Sequence, residues 1–342
     1  MEFKKVVKDA EFFDPFNEFK LTKRATEIRI DPLFGRSVRI IYFPVTLPPP
    51  PDQRPIADAT KPFCPFCRPA VFERTPKFVK DLVPEGRIEA GGSVLFPNAF
   101  PYDAFSGVGV VGEEHFVPMD SFTPEVFSDA FSAACNFIGR VYKKYPEYRH
   151  HSINMNYMPT AGGSIIHPHI QVIAGDIPTN YQRELAERAG NYGKKHKKDY
   201  FEELVSEEEK LGERFIAKEG GIVFLASFAS MGITEFLAVF EGGQEMTAVG
   251  DKVKEKFNAL ISGIRSILAY LHSLNFASFN MSIYFADPES PEYPTHMRIV
   301  PRTHLPPMGA SDINFFEMLH HEVLTIIKPE EAAEGARAYF KA

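Results

Sequence analysis

The run His167-Pro168-His169 holds the residue types in this chain best suited to chemistry. Two imidazoles two positions apart on a strand project from one face. A neutral imidazole attacks phosphorus at neutral pH, and the phosphoramidate it forms is readily broken again, so one histidine can carry a group between two half-reactions. Pro168 has no N–H and belongs at a strand start or edge, which predicts accessible histidines. Taken alone, H-x-H is only an exposed pair at a strand end. Its neighbours change the reading. Gly162, Gly163 and Ser164 lie just upstream and offer backbone N–H groups and a hydroxyl, while Gln171 lies two residues downstream on the same strand face. Together they present neutral donors to a phosphoryl group whose charge develops during transfer. His169 is the expected nucleophile, and its second nitrogen needs a carbonyl to fix the tautomer.

Cys64 and Cys67 form a C-x-x-C in KPFCPFCRP, a spacing that lets two thiolates reach one tetrahedral metal. Half a site is missing from such a knuckle. His115, expected to close a strand, and His167, the histidine not needed as nucleophile, complete a Cys2His2 zinc site that ties the knuckle to the catalytic strand. Two other readings stand beside it: a redox pair, although no thioredoxin-like strand–helix pattern surrounds the cysteines, and a knuckle without metal. The third cysteine, Cys135, sits in an apolar, helix-like run and reads as a small core residue, so no disulfide framework is expected.

The elements that must hold these residues follow from periodicity. Residues 29 to 43 read as a hairpin around Pro32 and Gly35, followed by an extended, proline-rich segment. Residues 93 to 118 read as strand, turn, strand. From Thr123 to Lys144 the apolar residues recur at helical spacing. HSINMNYMPTAGGSIIHPHIQVIAG reads as strand, glycine loop, strand, and residues 181 to 218 as polar helix bridging two halves. The second half repeats the first in outline: strands near 221–225 and 235–240, a helix from about Asp251 to Leu274, then FNMSIYFADP and THMRIVPRTHL. Setting the histidine-bearing strands side by side matches His167 with His296 and His169 with Arg298, so chemistry is expected in the first half only.

The chain has 342 residues, long enough for two domains or one duplicated unit. The division expected is 1–205, a catalytic half with the zinc knuckle, and 206–342, a half without the nucleophile. A net charge of −7 and a pI near 5.9 argue against the basic surface that nucleic acid requires. No apolar stretch reaches membrane-spanning length and the N-terminus lacks the apolar core of a signal peptide, so a cytoplasmic protein without membrane contact is expected.

These motifs together resemble the galactose-1-phosphate uridylyltransferase family, the transferase branch of the histidine-triad superfamily. The matching pieces span nearly the whole chain: DPLFGR with VRI, C-P-F-C, FPNAFP, His115, Asn156 eight residues before Ser164, GGSIIHPHIQ, IVPR and FFEML. The resemblance implies an α+β fold of two related histidine-triad-like halves, with antiparallel sheets flanked by helices, and a homodimer. It makes His169 the residue that becomes nucleotidylated, with Ser164, Gln171 and Asn156 as phosphate and leaving-group contacts beside Gly162 and Gly163. Cys64, Cys67, His115 and His167 match a single structural zinc site. Phe96, Asn98 and Phe100 match the segment that holds base and ribose, and Phe316 and Glu317 the sugar-contacting segment.

Three departures stand out. The arginine-rich stretch after the first hairpin is replaced by YFPVTLPPPP, leaving Arg54 as a possible substitute. The second metal site of some members would need histidines near Tyr284 and Arg298, and only His296 is there. The glutamine expected six residues after Glu317 is Val323.

The activity implied is ping-pong transfer of a nucleoside monophosphate from a nucleotide sugar to a sugar 1-phosphate, a hexose-1-phosphate uridylyltransferase of galactose metabolism. Loss of a sugar contact at Val323 keeps a phosphorolytic adenylyltransferase in view, with inorganic phosphate as acceptor, as in ADP-glucose phosphorylase or adenylylsulfate:phosphate adenylyltransferase. A noncatalytic, zinc-stabilised nucleotide-binding protein is the reading of another class.

Overall fold

The computed structural model of the protein describes residues 1–41, 47–242, 251–289, 291–303 and 311–340. Residues 42–46, which include the end of the expected first hairpin, lie outside the described residues. In chain order the elements of the first half are β1 (Lys5–Asp14), β2 (Lys20–Ile30), β3 (Ser37–Ile41), α1 (Arg54–Thr60), α2 (Ala70–Glu73), β4 (Ile88–Ala90), β5 (Ser93–Pro97), β6 (Phe105–Val110), α3 (Pro124–Lys144), β7 (His150–Tyr157) and β8 (His169–Gly175). Two helices, α4 (Asn180–His196) and α5 (Tyr200–Leu211), then lead into β9 (Phe215–Glu219), β10 (Ile222–Ala226), β11 (Phe236–Phe240), α6 (Asp251–Ser273), β12 (Ser278–Tyr284), β13 (His296–Arg302), α7 (Phe315–His320), β14 (Val323–Thr325) and α8 (Pro329–Phe340).

Ten strands form one sheet in the order β4-β5-β6-β8-β7-β12-β13-β11-β10-β9, every neighbouring pair antiparallel. The order reads alike from either end, so the two related halves of the α+β fold meet at β7 and β12 around a local two-fold. Met155 faces Met281 there and Asn156 faces Asn280. Residue 205 falls inside α5, and the β7–β12 pairing makes both halves one continuous sheet.

Alternation along the central strands sorts side chains by face. Ile153, Met155, Ile170, Val172, Met281, Ile283, Met297 and Ile299 are buried in the main core, which α3, α6 and α8 help to form. Helix α3 forms as its sequence predicts. Thr123-Pro124 opens it, Glu125 and Lys143–Lys144 suit the helix dipole at its two ends, and Phe127, Ala130, Ala134, Phe137 and Val141 line its buried stripe. The opposite face of the sheet presents half-buried Asn154, Asn156, Gln171, Asn280, Ser282 and Arg298. A second, four-stranded sheet, β1-β2-β3-β14, joins the N-terminus to the C-terminal segment. The hairpin expected around Pro32 and Gly35 is β2 with β3, and β1, whose mixed pattern gives no clear period, extends it outward.

Candidate active site

His169 is the first residue of β8, and the loop before it ends at Pro168, whose carbonyl accepts from Val111 N at 2.8 Å. The proline therefore marks a strand start and not a sheet edge, since β8 lies between β6 and β7. For that reason the expected accessibility is corrected. His167 is fully buried and His169 keeps only 6 % of its surface, with Phe66 of the cysteine knuckle lying edge-on to its ring at 5.2 Å. Nδ1 of His169 sits 2.8 Å from the His167 carbonyl. Bonding there places the proton on Nδ1 and leaves the Nε2 lone pair free. Nε2 bonds to no described polar group. Burial pushes the imidazole pKa down and its Nδ1 bond opposes this, which keeps the ring neutral.

The glycine loop lies at the end of β7. Gly162 is exposed with φ of +89°, and Gly163 packs so tightly that a Cβ would meet the Asn156 carbonyl at 2.8 Å. Ser164 is exposed beside them. Asn156 stands on the same face of the sheet, and its Nδ2 lies 3.9 Å from the point where a Gly162 Cβ would be. Gln171 faces Asn154 on β7 and Val108 on β6, its side chain half-buried on that face.

Two residues of the second half that sequence reasoning passes over complete this corner. Asn280 Nδ2 donates to Asn156 Oδ1 at 2.7 Å and to the Ala161 carbonyl at 2.8 Å, while its Oδ1 accepts from Arg302 Nη1 at 3.0 Å. Arg302 in turn grips Asp312, with Nε 2.9 Å and 3.0 Å from the two carboxylate oxygens and Nη2 2.6 Å from one of them. A cavity of about 390 Å³ opens beside Asn280 and Arg302 and is bounded further by Arg36, Asp312 and Glu317. His169 does not line it.

Cys64, Cys67, His115 and His167 come together with their ligand atoms all within 4.8 Å of one another. Nδ1 of His167 is 3.8 Å from Cys64 Sγ and 3.5 Å from Cys67 Sγ, and Nδ1 of His115 is 3.4 Å from Cys67 Sγ. A tetrahedral zinc with ordinary bond lengths imposes S···N separations of about 3.5 Å. Both outer nitrogens are anchored as ligation requires: His167 Nε2 on the Gly112 carbonyl at 3.2 Å, His115 Nε2 on Thr60 Oγ1 at 3.0 Å. The Thr60 hydroxyl already has the Ile56 and Ala57 carbonyls as acceptors, so it accepts from His115 and leaves that Nδ1 bare. Burial lowers both imidazole pKa values, His167 to about 4, and burial with the Cys64 thiol nearby raises Cys67 to about 11, so thiolates here would need a cation to stabilise them. The cluster could therefore hold a metal ion. The expectation that His115 closes a strand is corrected: β6 ends at Val110, and His115 lies in the irregular stretch that follows.

The remaining expected residues scatter. Phe96 is 2 % exposed and packs on Phe66, whereas Phe100 is 86 % exposed, and Asn98 Oδ1 accepts from Phe100 N at 2.9 Å. They do not form one wall. Glu317 spends its oxygens on the Asn314 and Leu324 amides, and Phe316 lies under the Arg39 guanidinium. Arg54 lies in a cleft with Lys61 and His115, not beside His169.

The structure also corrects the match between halves. His296 opens β13 as His169 opens β8; its Nδ1 is 2.9 Å from the carbonyl two residues earlier, and the Thr295 carbonyl accepts from Phe240 N as Pro168 accepts from Val111 N. His296 is thus the counterpart of His169, and Arg298 of Gln171. Histidine order alone misaligned the copies by two residues. His296 is fully enclosed, with Nε2 3.0 Å from the Tyr181 hydroxyl, and burial pushes its pKa down to about 3. Arg298 pairs with buried Glu235.

The palindromic ten-stranded sheet has the fold of solved uridylyltransferases and of an ADP-glucose phosphorylase. An ADP-glucose phosphorylase from Arabidopsis thaliana with bound ADP-glucose superposes with a TM-score of 0.66 at 16% identity, covering 91% of this chain and 98% of that one. A galt-like protein from the same plant gives 0.67 at 17% identity over 91% and 98%, and a uridylyltransferase gives 0.65 at 17% over 92% and 98%. At the level of sequence, the chain belongs to one family with an uncharacterized protein of Archaeoglobus fulgidus, 32% identical over 98% of each chain. No family model matches. No helix among the described residues is long and apolar enough to cross a membrane.

Proposed function

We propose that this chain is a nucleotidyltransferase that works through a covalent nucleotidyl-histidine. Nε2 of His169 attacks the α-phosphorus of a nucleotide sugar; a P–N bond forms, the P–O bond to the sugar phosphate breaks, and an acceptor oxyanion then reverses the exchange. One observation carries the reading: Nδ1 of His169 is held on the His167 carbonyl, which leaves Nε2 as the nitrogen with a free lone pair. Ser164 and the amides of Asn156 and Gln171 supply donors to the phosphate oxygens, whereas the N–H groups of Gly162 and Gly163, expected as donors from the sequence, are spent on the Pro159 and Met158 carbonyls. Zinc at Cys64, Cys67, His115 and His167 would hold the knuckle against β8 and take no part in transfer.

The expected acceptor is a sugar 1-phosphate, as in a hexose-1-phosphate uridylyltransferase. A specific observation favours inorganic phosphate, as in a phosphorylase: Val323 is buried in β14 against Val38 and Phe228, and both Glu317 oxygens are occupied by backbone amides. That segment offers a sugar little hydrogen bonding. Incubation with radiolabelled UDP-glucose and ADP-glucose, followed by release with hexose 1-phosphate or with phosphate, tests the reading. An acid-labile, base-stable label identifies a transferase, and its release identifies the acceptor. Failure of any nucleotide donor to label the protein leaves the noncatalytic nucleotide-binding reading.

A further inference from the structure

We infer that Asn280, from the half of the chain without the proposed nucleophile, is a positioning residue that fixes which end of the Asn156 carboxamide faces the phosphate. The inference rests on the nucleotidyl-transfer reading of His169. Asparagine oxygen and nitrogen look alike in shape, and only bonding decides which points where. Here the bonding runs one way. Arg302 has donors only, so the group it meets on Asn280 must be oxygen, 3.0 Å from Nη1. Asn280 must then turn Nδ2 the other way, where it lies 2.7 Å from Asn156 and 2.8 Å from the Ala161 carbonyl. Facing a donor, Asn156 presents Oδ1 and sends its own N–H groups toward Gly162.

Asp312 holds the far end of this chain by its grip on Arg302, and its second oxygen also accepts from Thr303 N at 3.0 Å. A second link joins the same loop to the same half, from Thr160 Oγ1 to Ser278 Oγ at 2.7 Å. An orientation set at Asp312 thus reaches the loop across the local two-fold. Without it, Asn156 is free to turn its oxygen toward a phosphate oxygen, where the two repel.

Asn280→Asp tests this, because a carboxylate offers Asn156 an acceptor and inverts the relay without changing size. Labelling of His169 by the nucleotide sugar that labels wild type is expected to slow by about 10-fold or more, with nucleotide affinity changed by less than about 3-fold. Asn156→Ala with Asn280→Asp should be no slower than Asn156→Ala alone, since the second change has nothing left to misorient. Asn280→Ala, which removes the donor without adding an acceptor, should slow labelling less than Asn280→Asp and serves if the aspartate variant folds poorly. Wild-type labelling rates in Asn280→Asp, multiplying effects in the double variant, or a larger loss in Asn280→Ala would each overturn the inference. An unlabelled wild type would instead bring down the nucleotidyl-transfer reading beneath it.

Discussion

His169 and His296 occupy the same place in two copies of one fold and have opposite surroundings. Each opens a strand and rests Nδ1 on the carbonyl two residues before it. Beyond that the copies diverge. In the first, Nε2 bonds to no described polar group; the second closes Nε2 against Tyr181 of α4, rings it with Tyr284, Phe201 and Tyr293, and puts an Arg298–Glu235 ion pair where the first has Gln171. The backbone device therefore fixes a tautomer in both halves, and under the proposed mechanism what covers the other nitrogen sets whether the ring can react. Helices α4 and α5 supply Tyr181 and Phe201 to this cover, and β12 and the segment before β13 supply Tyr284 and Tyr293.

Breaking the comparison at its reactive end gives the largest effect. His169→Gly is expected to lower nucleotidyl transfer by at least about 10⁴-fold with the fold intact, measured by turnover and by circular dichroism. Activity near wild type would end the mechanism. Next comes the knuckle, which only the first half possesses. Cys64→Ser should reduce bound zinc and cost about 2 kcal/mol or more, read as a lower Tm beside metal analysis. Unchanged metal content would remove the zinc assignment.

At the closed end the expectation reverses. His296→Gln should leave labelling at wild-type rate and cost about 1–3 kcal/mol, because the Tyr181 hydroxyl loses its partner inside an enclosed pocket. A fall in transfer rate without a fall in stability would contradict the division of labour. The mildest effect is acid sensitivity. His296 and His151 are held neutral by burial, at about 3 and about 4, below the 6.5 of an unfolded histidine. The unfolded chain takes up protons that the folded chain refuses, so this stability is full above pH 6.5 and is lost as pH falls toward 4. Urea midpoints at pH 7.5, 5.5 and 4.5 should decline in that order, and less steeply in His296→Gln.

Much of this was legible in the sequence because the signals are local. Periodicity from Thr123 gave α3, and the histidine next to a proline gave a strand start. The C-x-x-C needed two histidines, and the chain brings His115 and His167 to it. What stayed hidden depends on pairing between distant segments. Asn280 reaches Asn156 only because β12 lies beside β7, a neighbourhood created by the local two-fold. The register of the repeat was missed for a related reason: carbonyl bonds at Pro168 and Thr295 set the counterpart of His169, and no spacing of histidines reveals them. Nor does the sequence show that Phe66 covers the ring of His169, which took a knuckle folded back by its cluster of possible ligands.

The central claim is that one of two equivalent histidines is left free to attack phosphorus. Peptide mapping by mass spectrometry after brief incubation with a nucleotide sugar tests it most directly. The account predicts a nucleoside monophosphate adduct on the peptide containing His169 and none on that containing His296. An adduct at His296, or at any residue other than His169, would contradict it.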